Sequence, residues 1–236
     1  MGTYIVTGAS SGIGRETALL LAARGNRVIA LGRSKERLDA LAAGDRLIVP
    51  LPLDLTDAAA IAQLSEAIGE QEIDGLINNA AIQVNCRFDA EGYGMTSIAS
   101  EIATNLTAPI LLTHLLARRA RSAPLTVVNV NSGLALFPKS TSAVYSASKA
   151  GLRMFGTAIS AQSGSKLRIV DVILPLVDTD MTAGRGAHKI APEVAATAVV
   201  SALDGRQREV FVGRARLLKL LLRVAPSLAA RIMRRM

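Results

Sequence analysis

The sequence predicts an α/β fold: a doubly wound, seven-stranded, mainly parallel sheet with helices on both faces. Three observations carry this. Short β-rich runs alternate with helical patterns along the chain, which implies parallel strands joined by right-handed helical crossovers. The chain is 50% hydrophobic but only 3% aromatic and has no Trp, so the core must be built from Ala, Val, Leu and Ile, as strands buried on both faces require. Its 236 residues suit one sheet-centred domain, assigned to residues 1–213, with 214–236 as a basic tail.

The elements follow in order. Thr3 to Thr7 is a β-rich run, followed by a Gly/Ser turn and an apolar helical pattern from Ile13 to Ala23 that Gly25 stops. Val28 to Leu31 reads as a second strand, and Ser34 caps a helix that ends at Gly44. Leu47 to Pro50 is strand three. Thr56 or Asp57 opens the next helix, which runs to Gly69, and Ile73 to Ile77 is strand four. A long helix over Met95 to Ala120 leads to strand five at Thr126 to Val130, a helix over Ala143 to Ala161 and strand six at Arg168 to Leu174. Pro192 starts a helix ending near Leu203, and Val210 to Val212 closes the series. In such a sheet ligands sit at the carboxyl ends of the strands.

Composition excludes several classes. The single cysteine, Cys86, rules out an intramolecular disulfide and suits a reducing compartment, and no metal-ligand cluster is legible. The first strand starts almost at Met1, so no leader segment is expected and the expected location is cytoplasmic. A net charge of +8 and a pI of 10.2 invite a nucleic-acid reading. The distribution argues against it: nine Arg or Lys stand against Glu209 alone from residue 206 onward, and the rest of the chain is balanced.

Two motifs carry chemistry. In the run Gly8-Ala9-Ser10-Ser11-Gly12-Ile13-Gly14, between the first strand and its helix, glycines permit a tight turn whose N–H groups approach a pyrophosphate. Tyr145 and Lys149, four residues apart on a helix, share one face. The ammonium can favour the phenolate, because an unperturbed tyrosine, ionising near pH ~10, is a poor proton shuttle at neutral pH. The end of the second strand bears on the cofactor: an acidic side chain there bonds a free ribose hydroxyl, and arginine accepts a 2′-phosphate. Here Leu31-Gly32-Arg33-Ser34 holds no carboxylate. The expected cofactor is therefore NADP(H) in preference to NAD(H), with Arg33 the main phosphate ligand, Ser34 a neighbouring donor, and Arg15 either a second contact or a solvent-facing helix residue.

These motifs, with Asp54-Leu55 after strand three, Asn78-Asn79-Ala80-Ala81, Asn105, Ser132 and the segment Pro175 to Met181, resemble the short-chain dehydrogenase/reductase family over nearly the whole chain. The resemblance implies a Rossmann-type fold and interconversion of a carbonyl and an alcohol by hydride transfer. It implies that Asp54 and Leu55 contact adenine, Asn79 and Ala80 line the ribose side, and Thr179, in the segment with Pro175 and Val177, holds the carboxamide. Ser132 would bond the substrate oxygen and Tyr145 protonate it. Lys149 would lower the Tyr145 pKa and bond the ribose, and Asn105 would hold a water leading to Lys149. A homo-oligomer, dimer or tetramer, is implied too. Two departures stand out: residue 81 is Ala where the family has Gly, and Leu176 replaces a glycine, so that residue should avoid positive φ.

Candidate substrate walls are Ile82 to Phe88, Gly133 to Phe137 and a mobile lid at Thr182 to Ile190, suited to a bulky or lipid-like carbonyl. The tail places cations at 216, 219 and 223 on one helical face, broken at Pro226 with Ser227 as a second cap. Two dispositions are open: packing on the domain or a sister subunit, or peripheral contact with an anionic membrane surface. A catalytically idle NADP(H)-binding sensor or scaffold is the rival function, but it has no use for Ser132, Tyr145 and Lys149 together. A sugar-nucleotide epimerase or dehydratase would need a different glycine spacing and a larger substrate region.

Overall fold

A computed structural model describes residues 1–119 and 123–225. Seven strands, β1 (Thr3–Thr7), β2 (Arg27–Gly32), β3 (Ile48–Pro52), β4 (Gly75–Asn78), β5 (Leu125–Ser132), β6 (Leu167–Leu174) and β7 (Glu209–Phe211), form one sheet in the order β3-β2-β1-β4-β5-β6-β7. Every pairing is parallel. The order reverses between β1 and β4, and there the crossovers diverge to opposite faces and leave a crevice at the strand ends.

Alternation along the strands sorts the core into two layers. Val6, Val28 and Ala30 turn toward α1 (Gly12–Ala23), α2 (Lys35–Ala42) and α7 (Pro192–Asp204), meeting Leu21, Leu38 and Val199. Ile5, Ile29 and Leu76 turn the other way, onto α3 (Ala58–Ile68) and α5 (Ala108–Ala117), where Leu64 and Leu112 are buried. Aliphatic side chains fill both layers, as the scarcity of aromatics requires.

Local signals decide the element ends. Ser34 accepts a hydrogen bond from the Arg37 amide, and Asp57 accepts from Ala59 and Ala60, each capping its helix. Gly25, in the left-handed region at φ 77°, ends α1. The expected single helix over Met95 to Ala120 is instead α4 (Met95–Ile102), a π-helical turn at Ala103–Thr107, and α5; residue 120 lies outside the described residues. The π turn holds Asn105, whose buried amide accepts from the Ile82 amide at 2.7 Å and donates to the Ile82 carbonyl at 2.8 Å. A side chain that needs those partners shifts the helical register by one residue to reach them.

After β7 the chain forms α8 (Ala215–Val224). Buried Ala215 packs with Phe211 and Ile173, the Lys219 ammonium stands 4.3 Å over the Phe211 ring, and Arg216 donates to the Phe211 carbonyl at 2.8 Å. The first half of the tail therefore packs on the sheet edge, and two of its three aligned cations are engaged there. Pro226 and Ser227 lie outside the described residues. No helix among the described residues is long and apolar enough to cross a membrane.

Candidate active site

The carboxyl ends of β1, β2, β4, β5 and β6 open on one cavity of about 810 Å³. Its floor at one end is the glycine turn. Gly8 and Gly12 have φ of 67° and 51°, and Gly8, Ser10, Ser11, Gly12 and Ile13 all line the cavity. Ser11 precedes α1 without a side-chain cap, so the first-turn amides keep no internal side-chain partner, as an anion-binding helix start requires. Gly14 does not line the cavity, contrary to expectation. A Cβ there would stand 2.2 Å from the Gly8 carbonyl oxygen, so this glycine lets α1 close onto the turn. Thr7 fixes the turn from below, its hydroxyl accepting from the Asn79 and Ala80 amides at 2.9 and 3.0 Å.

Arg33 and Ser34 line the cavity with Asp54 and Leu55, and Asn79 and Ala80 stand against Gly8 of the glycine turn. Hydrogen bonds from the Thr56 amide and hydroxyl hold the Asp54 carboxyl below its usual range, with the Arg33 charge helping. Arg37 lines the cavity here too, and the sequence reading passed over it. The signal was its spacing, four residues beyond Arg33 at the start of a helix. Arg15, by contrast, pairs with Glu16 and does not line the cavity.

At the other end Ser132, Tyr145 and Lys149 converge. Ser132 is the last residue of β5, and its hydroxyl accepts from the Leu134 amide at 3.2 Å, which fixes its direction. Tyr145 and Lys149 lie one turn apart on α6 (Ala143–Gln162) and are 8% and 2% exposed. The Ser132 hydroxyl lies near enough to Tyr145 to favour its phenolate. Burial pushes the Tyr145 pKa up to about 12, against the lowering effects of Ser132 and the Arg185 charge. Burial pushes Lys149 down to about 8, opposed by Asp171. The ammonium donates to the Val130 carbonyl at 2.9 Å and stands 5.9 Å from the centre of the Tyr145 ring. Ser132 and Arg185 are the groups that favour the phenolate in this arrangement. Asn105 does not line the cavity; its amide is taken up by Ile82 and, at 3.2 Å, by the Ser148 hydroxyl.

Pro175, Val177 and Thr179 line the wall after β6. Leu176 stays out of the left-handed region, as its side chain requires, and projects toward Gly186, where a Cβ would stand 2.5 Å from it. The lid is tied at its base: Asp178 donates to the Ile190 carbonyl at 2.9 Å and Ile190 to the Leu176 carbonyl at 3.0 Å. Of the other expected walls, Ile82, Gly133 and Leu134 face the cavity, while Cys86, Phe88 and Phe137 do not. A wall not foreseen comes from α8, which contributes Leu217, Leu218 and Leu221.

The model of the short chain dehydrogenase family matches residues 3–190, which include both ends of this cavity. The chain belongs to that family. Among related proteins, a fatty acyl-CoA reductase of Acinetobacter baylyi is 30% identical over 95% of this chain and 80% of its own length. A short chain dehydrogenase from Burkholderia cenocepacia, solved in complex with NADP, superposes with a TM-score of 0.87 at 28% identity, covering 98% of this chain and 97% of the other. One from Sphingobium yanoikuyae, in complex with NADPH, gives 0.81 at 27% identity over 97% and 95%.

Proposed function

We propose that the protein is an NADP(H)-dependent oxidoreductase that interconverts a carbonyl and an alcohol, with Tyr145 as its proton donor and acceptor. The observation that carries this reading is the convergence of Ser132, Tyr145 and Lys149 in one cavity with the glycine turn. The cradle fits a dinucleotide: uncapped amides stand at the start of α1, Cβ atoms are missing where backbone must approach, and two arginines wait at the end of β2. The Burkholderia and Sphingobium proteins hold NADP and NADPH. When bound, the nicotinamide supplies or accepts hydride at the carbonyl carbon.

The residues divide the remaining work. Gly8 to Ile13 bind the pyrophosphate, Arg33, Ser34 and Arg37 the 2′-phosphate, and Asp54 and Leu55 the adenine. Asn79, Ala80 and Lys149 hold the ribose groups, and Pro175, Val177 and Thr179 the nicotinamide side. Ser132 donates to the substrate oxygen and orients it. Tyr145, with its pKa pushed up to about 12, is protonated at neutral pH and gives its proton to that oxygen during reduction. Lys149, its pKa near 8, carries charge at neutral pH and supports the phenolate left behind.

The leucines of α8 and Leu176 support a bulky or lipid-like substrate. The reading includes a cytoplasmic homo-oligomer, dimer or tetramer, with membrane contact through the tail checked by pelleting with anionic vesicles. Tyr145→Phe is expected to bind NADPH normally and to lose roughly 10²- to 10⁴-fold in kcat. Full turnover by that variant would sink the role given to Tyr145, and NADPH binding by the wild type without turnover of any carbonyl would leave the idle sensor. Equal affinity of the wild type for NADH and NADPH would defeat the cofactor assignment.

A further inference from the structure

Two half-buried cations, Lys139 and Arg185, line the cavity, and neither is ion-paired with a carboxylate among the described residues. Arg185 donates to the Gln83 side-chain oxygen at 3.1 Å, and Lys139 donates to the Asn85 side-chain oxygen. Gln83 and Asn85 are joined through Ser142: Gln83 donates to its hydroxyl at 3.1 Å, and that hydroxyl is 3.1 Å from the Asn85 oxygen. Thr141 adds a bond to the same oxygen at 3.0 Å. One chain of neutral groups thus ties the two positive charges to a common frame.

Neutral amides satisfy the donors of such a pair without cancelling its charge. Like charges held side by side at partial burial repel, and an oxyanion entering between them relieves that repulsion while accepting charge-assisted hydrogen bonds. The frame is held at a conformational cost: Ser142 is 3% exposed and left-handed at φ 59°, a region that disfavours a residue with a Cβ. Burial and the Arg185 charge both push Lys139 below its ordinary pKa, as expected where a counter-charge is missing. The same cavity also has apolar lining from Leu176, Leu218 and Leu221.

We propose that Lys139 and Arg185 form an oxyanion subsite, so that the substrate is a carbonyl compound with an apolar body and an anionic head, a carboxylate or a phosphate. This rests on the reading that the cavity takes a carbonyl substrate. The head group engages the Lys139–Arg185 pair, the hydrocarbon part lies along α8, and the carbonyl is left at Ser132 and Tyr145. The two cations are specificity-determining residues, and Arg185 also acts on Tyr145 through its charge.

The test uses the full chain loaded with NADPH. Binding of octanoate, octyl phosphate and methyl octanoate is followed by NADPH fluorescence, and turnover by a panel of oxo-carboxylates of six to ten carbons, their methyl esters and matched oxo-alkyl phosphates. The expected result is an anion-over-ester preference of roughly tenfold to a hundredfold in both readouts. Lys139→Met and Arg185→Gln should each bring that ratio toward one, whatever they do to absolute rates, with NADPH affinity kept. Lys139→Arg should preserve it. The carboxylate and phosphate arms tell which head group the pair prefers. No anion preference in the wild type, a preference that survives both substitutions, or Arg185→Gln weakening NADPH in place of octanoate would each overturn the subsite. Anion binding without turnover of any carbonyl keeps the subsite and sinks the reductase reading; turnover without anion preference does the reverse.

Discussion

Lys149 donates its ammonium to the carbonyl of Val130, 2.9 Å away and two residues before Ser132 on β5. The strand that delivers the serine therefore also anchors the lysine. This fixes the Lys149 nitrogen against the sheet in a buried setting, where its charge is costly and its pKa falls to about 8.

A pH dependence follows, with a definite sign. Below about pH 8 Lys149 is protonated, and its charge is lost as pH rises through that value. Tyr145, near 12, stays protonated throughout. The reduction rate with saturating NADPH should therefore fall above pH 8 with a single titration. Asp171→Asn removes the carboxylate that supports the lysine charge and should move the fall to lower pH. A profile flat to pH 10, or one that Asp171→Asn leaves in place, would show that Lys149 is not the group responsible.

Gly14 is a packing requirement beneath the turn. Gly14→Ala places a methyl group 2.2 Å from the Gly8 oxygen, and backbone must give way. Overpacking of this kind costs about 1–3 kcal/mol. The expected outcome is a Tm lower by roughly 2–10 °C together with weaker NADPH binding, read by thermal scanning with and without NADPH. An unchanged Tm would mean that the turn adapts freely.

Arg33 and Arg37 should share recognition of the 2′-phosphate. Each charge-assisted hydrogen bond contributes about 1.5–3 kcal/mol, so either single alanine substitution should weaken NADPH binding by roughly tenfold or more. The double substitution should bring NADPH and NADH affinities close together. Calorimetric titration of both nucleotides checks this. If Arg37→Ala leaves NADPH affinity untouched, its place in the cavity wall is incidental.

The α8 wall should act on substrate and leave the cofactor alone. Leu218 lies over Gly133, where an added Cβ would meet its Cδ2 at 3.1 Å. Leu218→Asp should raise KM for long-chain carbonyls by roughly tenfold, from loss of about 1.5–3 kcal/mol of apolar burial. KM for a short ketone should change little. Equal effects on both substrates would point to damage of the fold.

Most of the architecture could be read directly. Strand starts, the Ser34 and Asp57 caps and the Gly25 stop depend on residues close in sequence, so their spacing reports them. The interruption at Ala103–Thr107 could not be read, because Asn105 leaves the helical register to meet Ile82, a partner distant in sequence. Gly14 reads as a phosphate-loop glycine, and the close approach of the Gly8 carbonyl that leaves no room for a Cβ there is visible only in the fold. Arg37 and the leucines of α8 read as ordinary helical residues until the fold set them beside the cavity.

By itself the sequence determined the α/β sheet, the glycine turn, the Arg33 signal and the Tyr145–Lys149 spacing, each a pattern of short range. Tertiary structure decided the rest: which carbonyl holds Lys149, which groups act on the Tyr145 pKa, and that Lys139 and Arg185 line one cavity with no ion-paired carboxylate among the described residues. Electrostatics and burial depend on distances through space, and residues 46 positions apart, such as Lys139 and Arg185, share a field only after folding brings them together.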